Sequence, residues 1–270
     1  MTHAVIGYGR LARALVPALR AAGEGVVVGR RSPGEGELTP VDAARAADWV
    51  WLTVPDDHIA ATAAALPWRA GQLGLHCSGA TPLAALAPAP AAAGFHPLKL
   101  LAGDAGLAGL TGVHVGIEAD AVHRPALQAL AQALGLQPLT LPWPMSTQAR
   151  AAYHAAANLA ASGVLAVLAE ARALWSAAGL APADALPALA PLSRGALDTA
   201  LARGLAGAVS GPVARGDVGV LTRHLNAGDA AGLEPDLLLA LARRQLALAE
   251  AAGRLDAAQI AALRACLAAR

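Results

Sequence analysis

Ala4-Val5-Ile6-Gly7-Tyr8-Gly9-Arg10-Leu11-Ala12 opens as a short apolar run, breaks at two glycines, and continues with apolar residues at helical spacing through Leu15 and Leu19. That order reads as strand, tight turn, helix. Such a turn brings a dinucleotide pyrophosphate against backbone N–H groups at a helix N-terminus. Gly7 makes the turn, Gly9 leaves room for the phosphate, and Ala12 supplies the small residue where helix meets strand. Tyr8, Arg10 and Leu11 belong to the same loop and join the glycines as cofactor-binding candidates. The bland alternative gives the glycines only a packing role. The context favours the dinucleotide, because a second strand, Val26-Val27-Val28, follows the helix.

That second strand ends at Gly29-Arg30-Arg31-Ser32, about 20 residues beyond the glycines. An NAD site wants a carboxylate here for the ribose 2′-hydroxyl, whereas an NADP site replaces it with cations and hydroxyls that accept a phosphate. Two arginines and a serine therefore predict NADP(H). The competing reading makes Arg30 and Arg31 a solvated turn.

The run Asp48 to Val54 reads as a buried strand halted by Pro55-Asp56-Asp57, since proline cannot continue a central ladder. Val54 and Pro55 are expected to line the cofactor cleft, and Asp56 or Asp57 to cap the following helix rather than act as an acid. Gly74 to Ala80 has the same form. Ser78 either touches the nicotinamide end or the substrate, or bonds its own turn. After an Ala/Pro-rich connector, Ala84 to Ala93, comes Phe95-His96-Pro97, where His96 either protonates a substrate oxygen or holds the loop. Lys99 is the only lysine in the chain. A strand at Val113 to Ile117, a helix on Leu127, Leu130, Ala131 and Leu134, and a strand at Leu139 to Leu141 complete the first half. Pro142-Trp143-Pro144 marks a boundary, giving an N-terminal domain of residues 1–144 and a C-terminal domain of residues 145–270.

Beyond Ser146 the pattern is helical. A helix over Ser146 to Ala178 carries Arg150, His154, Asn158 and Ser162 at i, i+4 on a ground of Ala, Leu and Val. Residues four apart share a face and drift by about 40° per step. The stripe faces either a ligand cleft or an internal hydrogen-bonded network. Ala155 to Ala169 is apolar enough to raise a membrane question, but it is short for a span and carries Asn158 and Ser162, so it reads as a buried helix. Arg215, beside a helix start, could hold a substrate carboxylate. Asp217 reads as the N-cap of that helix, and Asp256 with Gln259 as a capping box.

Hydrophobic residues make up 56 % of the 270 residues and charged ones 14 %, enough for a core and too little for a solvated tail. A formal net charge of +1 offers no field for nucleic acid or an anionic membrane. Cys77 and Cys266 form neither a disulfide framework nor a metal pattern, and no secretory signal opens the sequence. The expectation is a cytoplasmic α/β protein: a Rossmann-type doubly wound sheet followed by an all-α C-terminal domain. A small-molecule substrate is the expected partner.

These residues together resemble the bacterial Rossmann-like proteins carrying the domain of unknown function DUF2520, relatives of ketopantoate reductase, pyrroline-5-carboxylate reductase and the β-hydroxyacid and 6-phosphogluconate dehydrogenases. The resemblance rests on Gly7-Tyr8-Gly9-Arg10-Leu11, Val54-Pro55-Asp56, His76-Cys77-Ser78-Gly79, Phe95-His96-Pro97-Leu98, Tyr153-His154-Ala155-Ala156 and Gly211 to Asp217. It implies an NADP(H)-dependent reductase with a helical C-terminal domain that dimerises through its helices. Some members look like ketopantoate reductases. Three positions depart from the pattern: Arg150 stands where lysine is common, Ser162 where asparagine is common, and Val220 where threonine is common. On this reading His154 is the general acid, Asn158 and Ser162 bind the developing oxyanion or a substrate hydroxyl, His96 stands nearby, and Arg150 or Arg215 holds a carboxylate. The competing classes are a non-catalytic NADP(H) sensor and a redox regulator built on Cys77.

Overall fold

Short runs rich in β-branched and aromatic residues form strands β1 (Thr2–Ile6), β2 (Gly25–Gly29), β3 (Trp49–Leu52), β4 (Leu73–His76), β5 (Ala91–Pro97), β6 (His114–Glu118) and β7 (Gln137–Thr140) in the computed structural model, which describes residues 1–100 and 110–270. They make one sheet in the order β2-β1-β3-β4-β5-β6-β7. Every neighbouring pair is parallel except β5 and β6, which pair antiparallel with His96 opposite Gly116. Because β1 lies between β2 and β3, the chain leaves it in both directions, and a crevice opens at the carboxyl ends of these strands.

Alternation along the strands sends side chains to two separate cores. Val5, Trp51, Leu75 and Phe95 pack with α1 (Arg10–Ala21) and α4 (Arg124–Ala133) on one face. Ala4, Ile6, Val50 and Leu52 pack with α2 (Pro40–Arg45) and α3 (Ile59–Ala65) on the other. This is the doubly wound sheet expected from the sequence. Two local readings are corrected. The connector Ala84 to Ala93 is part structure, since a 3₁₀ turn covers Leu83–Leu86 and β5 begins at Ala91. Neither Asp56 nor Asp57 caps a helix: they lie within a 3₁₀ turn with no side-chain cap, and Asp56 instead accepts from Ser78 Oγ at 2.6 Å.

Ser146 caps α5 (Thr147–Asn158), its hydroxyl accepting from the Ala149 N–H at 3.1 Å. The helix then passes through a π-helical turn at Leu159–Gly163 and continues as α6 (Val164–Ala177). The compact units divide inside that π turn, into Met1–Ala161 and Ser162–Arg270. The sequence boundary at residue 144 lies earlier because proline punctuation precedes α5, whereas α5 packs on the sheet of the first unit.

The second unit continues with α7 (Pro182–Ala208), α8 (Val218–Ala230), α9 (Pro235–Ala251) and α10 (Ala257–Ala268). Val213, Leu221, Leu225, Leu246, Leu263 and Leu267 make its core. Asp217 caps α8 by accepting from the Val220 N–H at 2.9 Å, and Asp256 with Gln259 forms a capping box at α10, both as the sequence predicts. The expectation of a buried helix over Ala155 to Ala169 is overturned. No residue of α6 is buried, and the helical stretch Thr147–Ala177 has the length and composition to cross a membrane while no residue of its apolar window is fully buried. Leu192, Leu201 and Leu205 on α7 are likewise exposed, at 71 %, 87 % and 69 %.

Candidate functional site

The glycine turn is built by close approach. Gly7 has φ +93, and a Cβ there would stand 3.1 Å from Val54 Cγ1 and 3.2 Å from the Thr53 carbonyl oxygen. Only glycine suits that position. Thr53, which sequence reasoning passes over, ties the turn to β3 by donating its hydroxyl to the carbonyls of Ile6 (3.0 Å) and Gly7 (2.9 Å). Gly9 stands at the N-cap of α1, and a Cβ on it would meet nothing within 4 Å. The turn thus faces open space.

That space is a cavity of about 780 Å³ at the junction of β1, β2 and β3. Gly7, Tyr8 and Gly9 line one side, and Val54 and Pro55 another. At the end of β2, Arg30, Arg31 and Ser32 line the rim. Arg10 and Leu11 lie outside the lining, as the first residues of α1. The Arg30 guanidinium sits 5.9 Å from the centre of the Tyr8 ring, a cation–π distance. Its Nη1 also donates to both carboxylate oxygens of Glu37, at 3.1 and 3.2 Å.

A second constellation stands at the carboxyl ends of β4 and β5. His96 Nδ1 and the Tyr153 hydroxyl are 2.9 Å apart, with the rings edge to face at 5.6 Å. Two glycines make room for this pair. A Cβ on Gly79 would lie 2.7 Å from the His96 ring, and one on Gly116 would overlap the Tyr153 hydroxyl. Burial lowers the His96 pKa from its usual value, and the neighbouring His154 charge lowers it further, so the ring is neutral at pH 7. Burial raises the Tyr153 pKa, which keeps the phenol protonated. In the sequence Tyr153 stands out only as part of a motif. A lone aromatic on an alanine-rich helix gives no sign of a histidine 57 residues away.

The polar stripe divides. Arg150 is buried and forms an ion pair with Glu118, which also accepts from the Met145 N–H at 2.9 Å. Arg150 is therefore not available to a substrate carboxylate, and that expectation is corrected. His154 and Asn158 are exposed on α5, His154 close enough to His96 to affect its charge. Ser162 is exposed and belongs to the second unit, in the π turn, where the i, i+4 spacing no longer holds. Arg215, also in the second unit, is exposed, and its carbonyl accepts from Gln259 Nε2 at 3.3 Å. Ser78 proves to be the turn hydroxyl: its Oγ accepts from the Ala80 and Thr81 N–H groups at 3.1 and 2.9 Å and donates to Asp56, so the substrate role is corrected. Burial pushes the Cys77 thiol up to about 12, which leaves no thiolate for redox chemistry at neutral pH.

His76 lies beneath this site, fully buried, with neither ring nitrogen hydrogen-bonded among the described residues. Burial, with the Arg150 charge second, lowers its pKa from 6.5 to about 4. Between these values the unfolded chain binds a proton that the folded one refuses, so stability is complete above pH 6.5 and falls as the pH drops toward 4. The loss should reach roughly 3 kcal/mol. Urea titrations at pH 7.5 and 4.5 should show this slope in the wild type, and His76→Leu should flatten it; a slope unchanged in the variant contradicts the assignment.

Residues 113–250, just over half of the 270, match the family model described as a domain of unknown function, DUF2520. No curated protein matches the chain significantly. Among solved structures, protein TM1727 from Thermotoga maritima is similar over 92 % of this chain and 98 % of its own, at 21 % identity and a TM-score of 0.73. A reductive aminase from Aspergillus terreus, solved with NADPH and ethyl-5-oxohexanoate, is similar over 94 % and 93 %, at 17 % identity and a TM-score of 0.64. An imine reductase from Streptomyces aurantiacus aligns over 98 % and 99 %, at 18 % identity and a TM-score of 0.60. These likenesses establish a shared fold.

Proposed function

The chain belongs to the DUF2520 family, and from that premise and the geometry of its first unit we propose an NADP(H)-dependent oxidoreductase that reduces a carbonyl or imine carbon of a small metabolite in the cytoplasm. The observation that carries the reading is the cavity shared by the glycine turn and the cationic end of β2. Open space before Gly9 suits a pyrophosphate, and Arg30, Arg31 and Ser32 suit a 2′-phosphate. The similar reductive aminase was solved with NADPH.

Bound NADPH would supply the hydride. The protein's part is to place the acceptor and provide the proton. Tyr153 is the donor we favour, ahead of His154: its hydroxyl proton goes to the substrate oxygen or nitrogen as the carbon is reduced, and His96 replaces it from Nδ1 as the other ring nitrogen takes up a proton, so that the ring ends neutral as it began. Exposed His154 returns a proton to this pair from solvent. A carboxylated 2-oxo acid of ketopantoate type is the finer reading, supported by the family resemblance. NADPH oxidation against 2-oxo acids, ketopantoate among them, 3-oxo acids and cyclic imines tests it. Turnover on any class supports an enzyme, and tight NADPH binding without turnover throughout supports a sensor.

Two further outcomes are expected. NADPH should bind at least tenfold more tightly than NADH, about 1.4 kcal/mol, in calorimetric titration; equal affinities contradict the reading of Arg30-Arg31-Ser32. The protein should also be a homodimer, since Leu165 on α6 and Leu192, Leu197, Leu201 and Leu205 on α7 are exposed apolar side chains that a second copy could cover. Light scattering at micromolar concentration should give twice the chain mass of 26.8 kDa, and a single-chain mass refutes it.

A further inference from the structure

The end of β2 itself carries no acid, yet the fold brings one there from seven residues further on. Beyond Ser32 the chain doubles back, and the Leu38 N–H donates to the Val28 carbonyl while the Arg30 N–H donates to the Leu38 carbonyl, each at 2.9 Å. Residue 38 thereby joins the edge of β2 in parallel with Gly29. This return sets Glu37 beside Arg30. Its carboxylate is fixed by the Gly34 N–H at 2.7 Å and takes both hydrogen bonds from Arg30 Nη1. Glu37 is the more buried of the two, at 19 % exposure against 46 % for Arg30. The Gly34 hydrogen bond, with Arg30 behind it, lowers the Glu37 pKa, so the group is an anion throughout the neutral range.

We propose that Glu37 determines how strongly this protein distinguishes a 2′-phosphorylated dinucleotide from an unphosphorylated one, by competing with the 2′-phosphate for the Arg30 guanidinium. The proposal rests on the NADP(H) reading of the cavity. Arg30 lines that cavity with its charge already compensated, so an incoming phosphate must draw the guanidinium away from a carboxylate or share it against like-charge repulsion. A 2′-hydroxyl carries no charge and meets neither cost. Glu37 therefore holds 2′-phosphate affinity below what two arginines and a serine would give.

Calorimetric titration of NADPH, NADH and the fragment 2′,5′-ADP against wild type, Glu37→Gln, Glu37→Ala and Arg30→Ala tests this without reference to turnover. Glutamine keeps an oxygen for the Gly34 N–H, and alanine covers the case in which that oxygen still engages Arg30. At least one Glu37 variant should bind NADPH and 2′,5′-ADP five- to tenfold more tightly, with NADH changed less than twofold. The gain should vanish when Arg30→Ala is added and shrink at high ionic strength. Unchanged or weaker NADPH binding in both Glu37 variants overturns the proposal while leaving the NADP(H) reading intact, as does an equal gain for NADH. Failure of the wild type to bind any of the three nucleotides overturns both.

Discussion

Tyr153→Phe should lower kcat for reduction at least a hundredfold while leaving NADPH affinity within twofold. The substitution removes one oxygen and keeps the ring in its edge-to-face contact with His96. A positioned general acid contributes about 10²- to 10⁴-fold, so loss of the hydroxyl that passes the His96 proton onward should appear in turnover and not in cofactor binding. A purely structural hydroxyl predicts a different pattern: about 1 kcal/mol of stability lost with its hydrogen bond, and activity per folded molecule unchanged. His96→Asn should follow Tyr153→Phe in kcat. If His154→Ala alone abolishes turnover and Tyr153→Phe does not, the proton comes from the exposed histidine and Tyr153 is not the donor.

The largest loss of stability is expected at Glu118. Glu118→Gln leaves the buried Arg150 guanidinium without its counter-charge, and Arg150 Nε already lacks a partner among the described residues. Breaking one side of a buried ion pair costs about 3–5 kcal/mol, whereas replacing both sides by apolar residues is often neutral. Urea unfolding of Glu118→Gln should therefore show a sharply reduced midpoint, and Glu118→Leu combined with Arg150→Met should recover most of it. A single variant that loses less than about 1 kcal/mol would mean that water reaches Arg150. The pair also anchors the start of α5, because Glu118 accepts from the Met145 N–H. Loss of Glu118 should consequently disturb Tyr153 as well.

What the sequence made legible is what it encodes locally. The glycine turn with its flanking strand and helix, the Asp217 cap and the Asp256–Gln259 box are each written within a few residues, and each is found where expected. The pairs that build the second constellation are not local. His96 meets Tyr153 across 57 positions and Glu118 meets Arg150 across 32, so periodicity alone could place Arg150 and His154 on neighbouring turns but could not say that a carboxylate would bury the first. Nor does alternation carry a direction, which is why β6 reads as one more strand and its antiparallel pairing with β5 does not appear. Glu37 escaped for a related reason, since the acid was sought at the end of β2 and arrives from a loop that doubles back. The apolar helix α6 misled in the opposite sense: its hydrophobicity reads as burial, yet none of its residues is buried.

Gly116, opposite His96 in the β5–β6 ladder and under the Tyr153 hydroxyl, ties two distant positions into one inherited unit. A lineage that acquires alanine at 116 must displace the phenol, and one that exchanges the tyrosine for a small residue no longer needs the glycine. Tolerance at the two sites should therefore be conditional. In a mutational scan of the wild type, residue 116 should reject every side chain, while in a Tyr153→Ala background alanine and serine should become acceptable there.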